Sequence, residues 1–175
     1  MAAPNSVSVP MQVDCQLTAK QKAENSRLSY NDFDQAGTTS GSFRQLSEGR
    51  CALAAADAVE DYLITGPRPS EGQHRNLLFH MGQSLAIGGR EREAARVLAS
   101  SLSAASSGGE FDWNTYVVGT WAFLVKDGAR LEAAHSKLAA STDRGNIING
   151  RALAGLMNCF NKPYAEAYQS ACRPK

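Results

Sequence analysis

One phrase is written three times in this chain of 175 residues. It reads "EGRCALAAADAVEDYL" from Glu48, "GGREREAARVLASSL" from Gly88 and "DGARLEAAHSKLAAS" from Asp127. Each copy has a glycine, a charged step, an alanine doublet and then leucines or valines at helical spacing. Measured between Gly49, Gly89 and Gly128, the copies are 40 and 39 residues apart (49 to 89, 89 to 128). A period of that size constrains the fold strongly. Each unit is too short to bury its own apolar face, so neighbouring units stack and bury each other. Each phrase therefore predicts the second helix of a helical hairpin, with Gly49, Gly89 and Gly128 ending the first helix or making the turn. The doublets Ala54-Ala55, Ala94-Ala95 and Ala133-Ala134 let the two helices approach closely. Leu98, Leu102, Leu131 and Leu138 point inward. "NKPYAEAYQSA" reads as a degenerate fourth copy, with Asn161 at the turn.

Local propensity agrees. Alanine is abundant and β-branched residues are sparse between about residue 43 and residue 140, which favours helix over strand. The length suits one domain. Residues 1–41 read as an N-terminal extension: 1–14 disordered or extended, 16–30 a short polar helix, 31–42 a turn-rich loop. Residues 42–175 read as the helical-repeat domain. Ser70 and Asp112 are predicted N-caps, Gly66-Pro67, Gly88-Gly89, "SSGGEF" and Gly128 are predicted helix stops, and Pro163 suits the first turn of the last helix.

The best copy resembles a tetratricopeptide repeat. Leu78, Met81-Gly82, Leu85, Gly89, Ala94, Leu98 and Ser101 occupy that motif's offsets, with leucine where aromatics are usual. In the next copy only Gly128 and Ala133 fit well. The resemblance covers residues 43–172 as an architecture and 75–102 as a motif. It implies an all-α fold of stacked antiparallel helical hairpins, a tetratricopeptide-like α-solenoid of about three to four repeats. It also implies a concave face built from first helices, onto which Asn76, Phe79, His80 and Gln83 point to hold a peptide. The chain is further similar to bacterial proteins built around the phrases "FDQ", "DW..Y", "AFL..D" and "CF.KPY", a likeness that implies no activity.

Several function classes lack their signatures. A net charge of +1 leaves no basic footprint for nucleic acid. No run of eighteen apolar residues predicts a membrane span. There is no phosphate loop, no G-x-S-x-G elbow and no cysteine–histidine spacing for zinc, so no cofactor is expected. Asp57, Glu60 and Asp61 could hold a cation, but read more simply as a solvated helix face. His74, His80 and His135 fall on helices. Cys15, Cys51, Cys159 and Cys172 make an even set. Two disulfides would suit an oxidising compartment, with Cys15–Cys51 pinning the N-terminal segment and Cys159–Cys172 stapling the last turn. The latter needs a bend near the C-terminus, because a straight hairpin sets Cys159 opposite about residue 165. Four reduced thiols are the alternative. Trp113, Tyr116, Trp121 and Phe123 share one helix, which reads either as a buried core helix or as a groove where Trp113 or Tyr116 anchors a partner.

Two functions follow. The first is a non-enzymatic module that binds a protein or peptide through a helical-repeat groove, as a periplasmic adaptor or an immunity protein against a bacterial effector. The second is a small-ligand or metal-dependent enzyme with a pocket between helices near Asp57, Asp61 and His80. The N-terminal residues lack the basic and apolar regions of a secretory signal. The expected location is periplasmic or secreted if a signal has been removed, and cytoplasmic otherwise.

Overall fold

The computed structural model describes residues 15–104 and 111–174, and these residues are all-helical. Among the described residues, nine α-helices follow one another: α1 (Ala19–Asn25), α2 (Phe43–Glu48), α3 (Ala52–Thr65), α4 (Glu71–Ile87), α5 (Glu91–Ala99), α6 (Trp113–Leu124), α7 (Gly128–Ala139), α8 (Arg144–Asn158) and α9 (Tyr164–Ala167). A π-helical segment, Asn31–Ala36, lies between α1 and α2, and a 3-10 turn, Ser170–Cys172, is the last element of the described residues. The disorder expected for residues 1–14 and most of the "SSGGEF" stop lie outside the described residues.

Side-chain caps start these helices. Thr18 and Ser70 make capping boxes with Gln21 and Gln73, and Asp112, Asp127 and Asp143 cap α6, α7 and α8. A helix stop recurs three times, within or immediately before the repeated phrase. Residues 50, 89 and 126 adopt left-handed backbone, with φ of 62°, 83° and 60°. The next residue in each case donates its N–H five residues back: Cys51 to Leu46, Arg90 to Leu85 and Asp127 to Ala122, at 2.8–2.9 Å. This is the Schellman closure, and it reverses the chain within three residues.

That geometry shifts the expected register. Lys126, not Gly128, takes the left-handed position, and Gly128 opens α7. Ala55, Ala94 and Leu131 become equivalent, each five residues after the turn and each buried. Ala133 is exposed, because the third doublet sits two residues too far along. Leu102 is 41% exposed rather than interior, since α5 ends at Ala99.

α1 packs on α3, and from α2 onward each helix packs against the next, with the most extensive pairings between α4 and α5, α6 and α7, and α3 and α4. Short turns make those neighbours antiparallel. Glycine sets the closest approaches. A Cβ on Gly82 would lie 2.7 Å from Leu98, and one on Gly119 would lie 2.5 Å from Leu153. Two apolar clusters result. Phe33, Phe43, Val59, Tyr62 and Leu77 fill one, and Leu85, Leu98, Val117, Phe123, Leu138, Leu153 and Tyr164 the other, with Met81 packed against both. The predicted core character of the aromatic helix is the one observed: seven of the twelve residues of α6 are buried.

Two segments depart from expectation. The turn-rich stretch 31–42 carries the π-helical segment, and its Phe33 is fully buried and stacked on Tyr62 at 4.1 Å. The last helix is a single turn, α9, with Pro163 as its N-cap rather than in its first turn. The chain then bends into the 3-10 turn, which brings Cys172 back to Cys159. Both expected disulfides are present, Cys15–Cys51 and Cys159–Cys172, with Cα separations of 5.6 and 5.9 Å.

Candidate functional site

The residues expected to form a peptide-binding face lie on α4, which capping by Ser70 and the turn at Gly89 hold in place. Asn76, His80 and Gln83 are half-buried and Phe79 is buried. Each polar member of the row reaches another segment of the same chain. Asn76 Nδ2 donates to the Tyr30 hydroxyl at 2.5 Å and lies 3.4 Å from Asp34 Oδ2. His80 Nδ1 meets Asp34 Oδ1 at 2.7 Å. Gln83 Nε2 donates to the Tyr164 hydroxyl at 3.1 Å. The N-terminal segment and α9 thus cover the face.

Asp34 is the centre of this contact. Its side chain is fully buried, and a buried carboxylate needs compensation from several donors. His80, Asn76 and Gln35 supply it, while Arg44 Nε binds the Asp34 carbonyl at 2.9 Å. Phe43 stacks on the His80 ring at 4.9 Å, which fixes its plane. Burial, and then the charge of Asp34, push the Tyr30 and Tyr62 hydroxyls above the usual phenol range, so both remain neutral, Tyr30 accepting from Asn76 and Gln35 and Tyr62 donating to the Leu28 carbonyl.

Phe79 does not line an open groove. Its ring packs on Trp113 at 5.2 Å and Tyr116 at 5.0 Å. Trp113 is half-buried, and its Nε1 donates to the Ser101 carbonyl at 2.8 Å. Tyr116 is 6% exposed, and burial holds its hydroxyl, like that of Tyr164, well above the phenol range. Of these six residues, Asn76 and His80 hold the N-terminal segment, Gln83 holds α9, and Phe79, Trp113 and Tyr116 pack on one another.

The alternative set of Asp57, Asp61 and His80 is divided among different partners. Asp61 pairs with Lys22 at 2.7 Å, through a hydrogen bond that raises the lysine's pKa. Asp57 borders a cleft of about 840 Å³ beside the Cys15–Cys51 bridge, together with Lys22 and Arg50. His80 bonds Asp34 instead. Among the described residues, no group of three or more His, Cys, Asp or Glu is placed to hold a metal ion, and no helix is long and apolar enough to cross a membrane.

A second cleft, of about 850 Å³, opens where three turns meet. Gly89 to Glu93 and Arg96 line one side, Lys126 another, and Asn161 to Pro163 the third. Sequence reasoning missed this cleft because its walls come from segments far apart in the sequence. It also missed Tyr30, Asp34 and Tyr164 as partners of α4. For two of them a signal was present: "FDQ" contains Asp34 and "CF.KPY" ends on Tyr164. Comparison with protein-family models, with curated proteins and with solved structures found no match.

Proposed function

We propose that this chain is a non-enzymatic protein-binding module, a tetratricopeptide-like stack of helical hairpins that works in an oxidising compartment such as the periplasm. One observation carries the reading: the polar row on α4 grips polypeptide, holding Tyr30, Asp34 and Tyr164 of its own chain through Asn76, His80 and Gln83. A face built to hold chain segments is what helical-hairpin stacks offer. The same row is engaged internally, so a partner meets the turn edges and outer helix faces, where exposed residues remain. The two disulfides support the compartment, since such bridges persist outside the reducing cytosol. An adaptor and an immunity protein that plugs an effector both fit this description.

The test is affinity capture from an extract of the source organism, using the oxidised chain as bait, followed by cross-linking and reciprocal capture. The expected result is one salt-resistant protein that retains the chain in the reverse experiment, with cross-links from the turn edges. Its identity separates adaptor from immunity protein. Absence of any reciprocal partner, with a rise in melting temperature on adding a metal or metabolite, would overturn the reading in favour of a small-ligand site.

A further inference from the structure

The cleft of about 850 Å³ at the turns has an uneven charge balance. Five basic side chains line it, Arg90, Arg92, Arg96, Lys126 and Lys162, against two carboxylates, Glu91 and Glu93. Both carboxylates are engaged. Glu91 Oε1 accepts the backbone N–H of Tyr164 at 2.6 Å, and Glu93 pairs with Arg90 at 2.7 Å. Lys126 is held by the carbonyls of Phe160 and Lys162 and sits 3.9 Å from the centroid of the Phe123 ring, so its charge meets dipoles rather than a carboxylate. Lys162 reaches Glu166 only at 3.7 Å on an exposed surface. The side chains of Arg92 and Arg96 are exposed on α5 and make no hydrogen bond or ion pair among the described residues.

We propose that this cleft docks an acidic segment of a protein partner, whose carboxylates pair with Arg92 and Arg96. The inference rests on the protein-binding reading and names the partner's chemistry. Guanidinium groups form two parallel hydrogen bonds to a carboxylate, which makes arginine the residue suited to this contact. Arg92 and Arg96 stand one helical turn apart, with Cβ atoms about 6 Å from each other. Alternate side chains of an extended segment recur at about 7 Å, so a Glu-x-Glu stretch matches both arginines at once. The cleft is shallow and lined by side chains from three turns, a shape that admits a chain passing through rather than an enclosed small anion. Lys126 and Lys162 add positive field along the same path.

The probe is an acetylated (Glu-Ser)5 peptide, titrated calorimetrically into the full oxidised chain at low and at moderate salt. The expected result is salt-sensitive binding that falls roughly tenfold or more in R92Q/R96Q. A control variant, R27Q/R151Q, removes the same charge from exposed arginines outside the cleft and should bind like the wild type. Because all four side chains are exposed, equal melting temperatures are expected throughout. R92E/R96E should instead bind (Lys-Ser)5, a gain that a misfolded variant would not show. Failure of the wild type to bind, an equal loss in both glutamine variants, or tighter binding of tripolyphosphate than of the peptide would overturn the proposal. If a partner captured as described above is held equally well by R92Q/R96Q, the acidic docking site is wrong while the protein-binding reading stands.

Discussion

At the scale of single residues, the three helix stops differ in cost. Gly89 adopts φ of 83° without a side chain, whereas Arg50 and Lys126 hold φ near 60° with one. Left-handed backbone costs an L-residue about 1–2 kcal/mol. Arg50→Gly removes that cost, and the greater freedom of glycine in the unfolded chain offsets part of it. A net stabilisation of about 0.5–1 kcal/mol is expected in denaturant unfolding. The opposite is expected at Gly119. It lies within α6, and an added Cβ there would stand 2.5 Å from Leu153 and 3.1 Å from Ala134. Gly119→Ala should destabilise by about 1–3 kcal/mol, because α7 and α8 both close on that point. If Arg50→Gly destabilises, the turn is not strained as described. If Gly119→Ala is neutral, the helices can part at little cost.

At the scale of elements, Asp112 shows how one side chain joins two helices. It caps α6 through Thr115, and Lys137 of α7 reaches its Oδ2 at 2.5 Å. Burial pushes its carboxyl up, but the bonds from Lys137 and Thr115 outweigh that and leave it below the usual carboxylate value. A carboxyl whose pKa is depressed in the folded state stabilises the fold above its unfolded pKa. That contribution is lost as pH falls through the folded pKa. The loss should therefore begin near pH 4 and continue below it. Asp112→Asn keeps an oxygen for the cap and removes the charge, so it should flatten the acid limb of stability. An acid limb identical to the wild type would remove Asp112 from that role. The cap itself was legible in the sequence, as was Ser70, because each depends on a local residue type; the two disulfide pairs were read from where the cysteines lie along the chain, with four reduced thiols left as the alternative that the structure does not take. The π-helical segment was not. Asn31, Asp32, Gly37 and Ser40 spell a turn, and nothing local reveals that Phe33 and Asp34 are buried against distant helices. The register of the third hairpin was misread for a related reason: glycine marks a left-handed position only by preference, and here Lys126 holds it.

At the scale of the whole molecule, α4 is the element to which both ends of the described chain return. The N-terminal segment reaches it through Tyr30 and Asp34, and α9 reaches it through Tyr164. A disulfide secures each end. Cys15–Cys51 closes a separation of 36 residues and Cys159–Cys172 one of 13. Chain-entropy reasoning assigns about 4 kcal/mol to the longer bridge and about 3 kcal/mol to the shorter. The consequences should differ in place as well as in size. The N-terminal segment packs on the cluster of Phe33, Phe43 and Tyr62, whereas α6 to α8 pack in the other cluster. Replacing Cys15 and Cys51 by serine should therefore lower hydrogen-exchange protection from α1 through the π-helical segment and leave α6 to α8 protected. Replacing Cys159 and Cys172 should expose α9 and the end of α8 and leave the N-terminal segment closed. If either pair lowers protection evenly along the chain, the two clusters open as one unit, and the ends do not act as separate covers on α4.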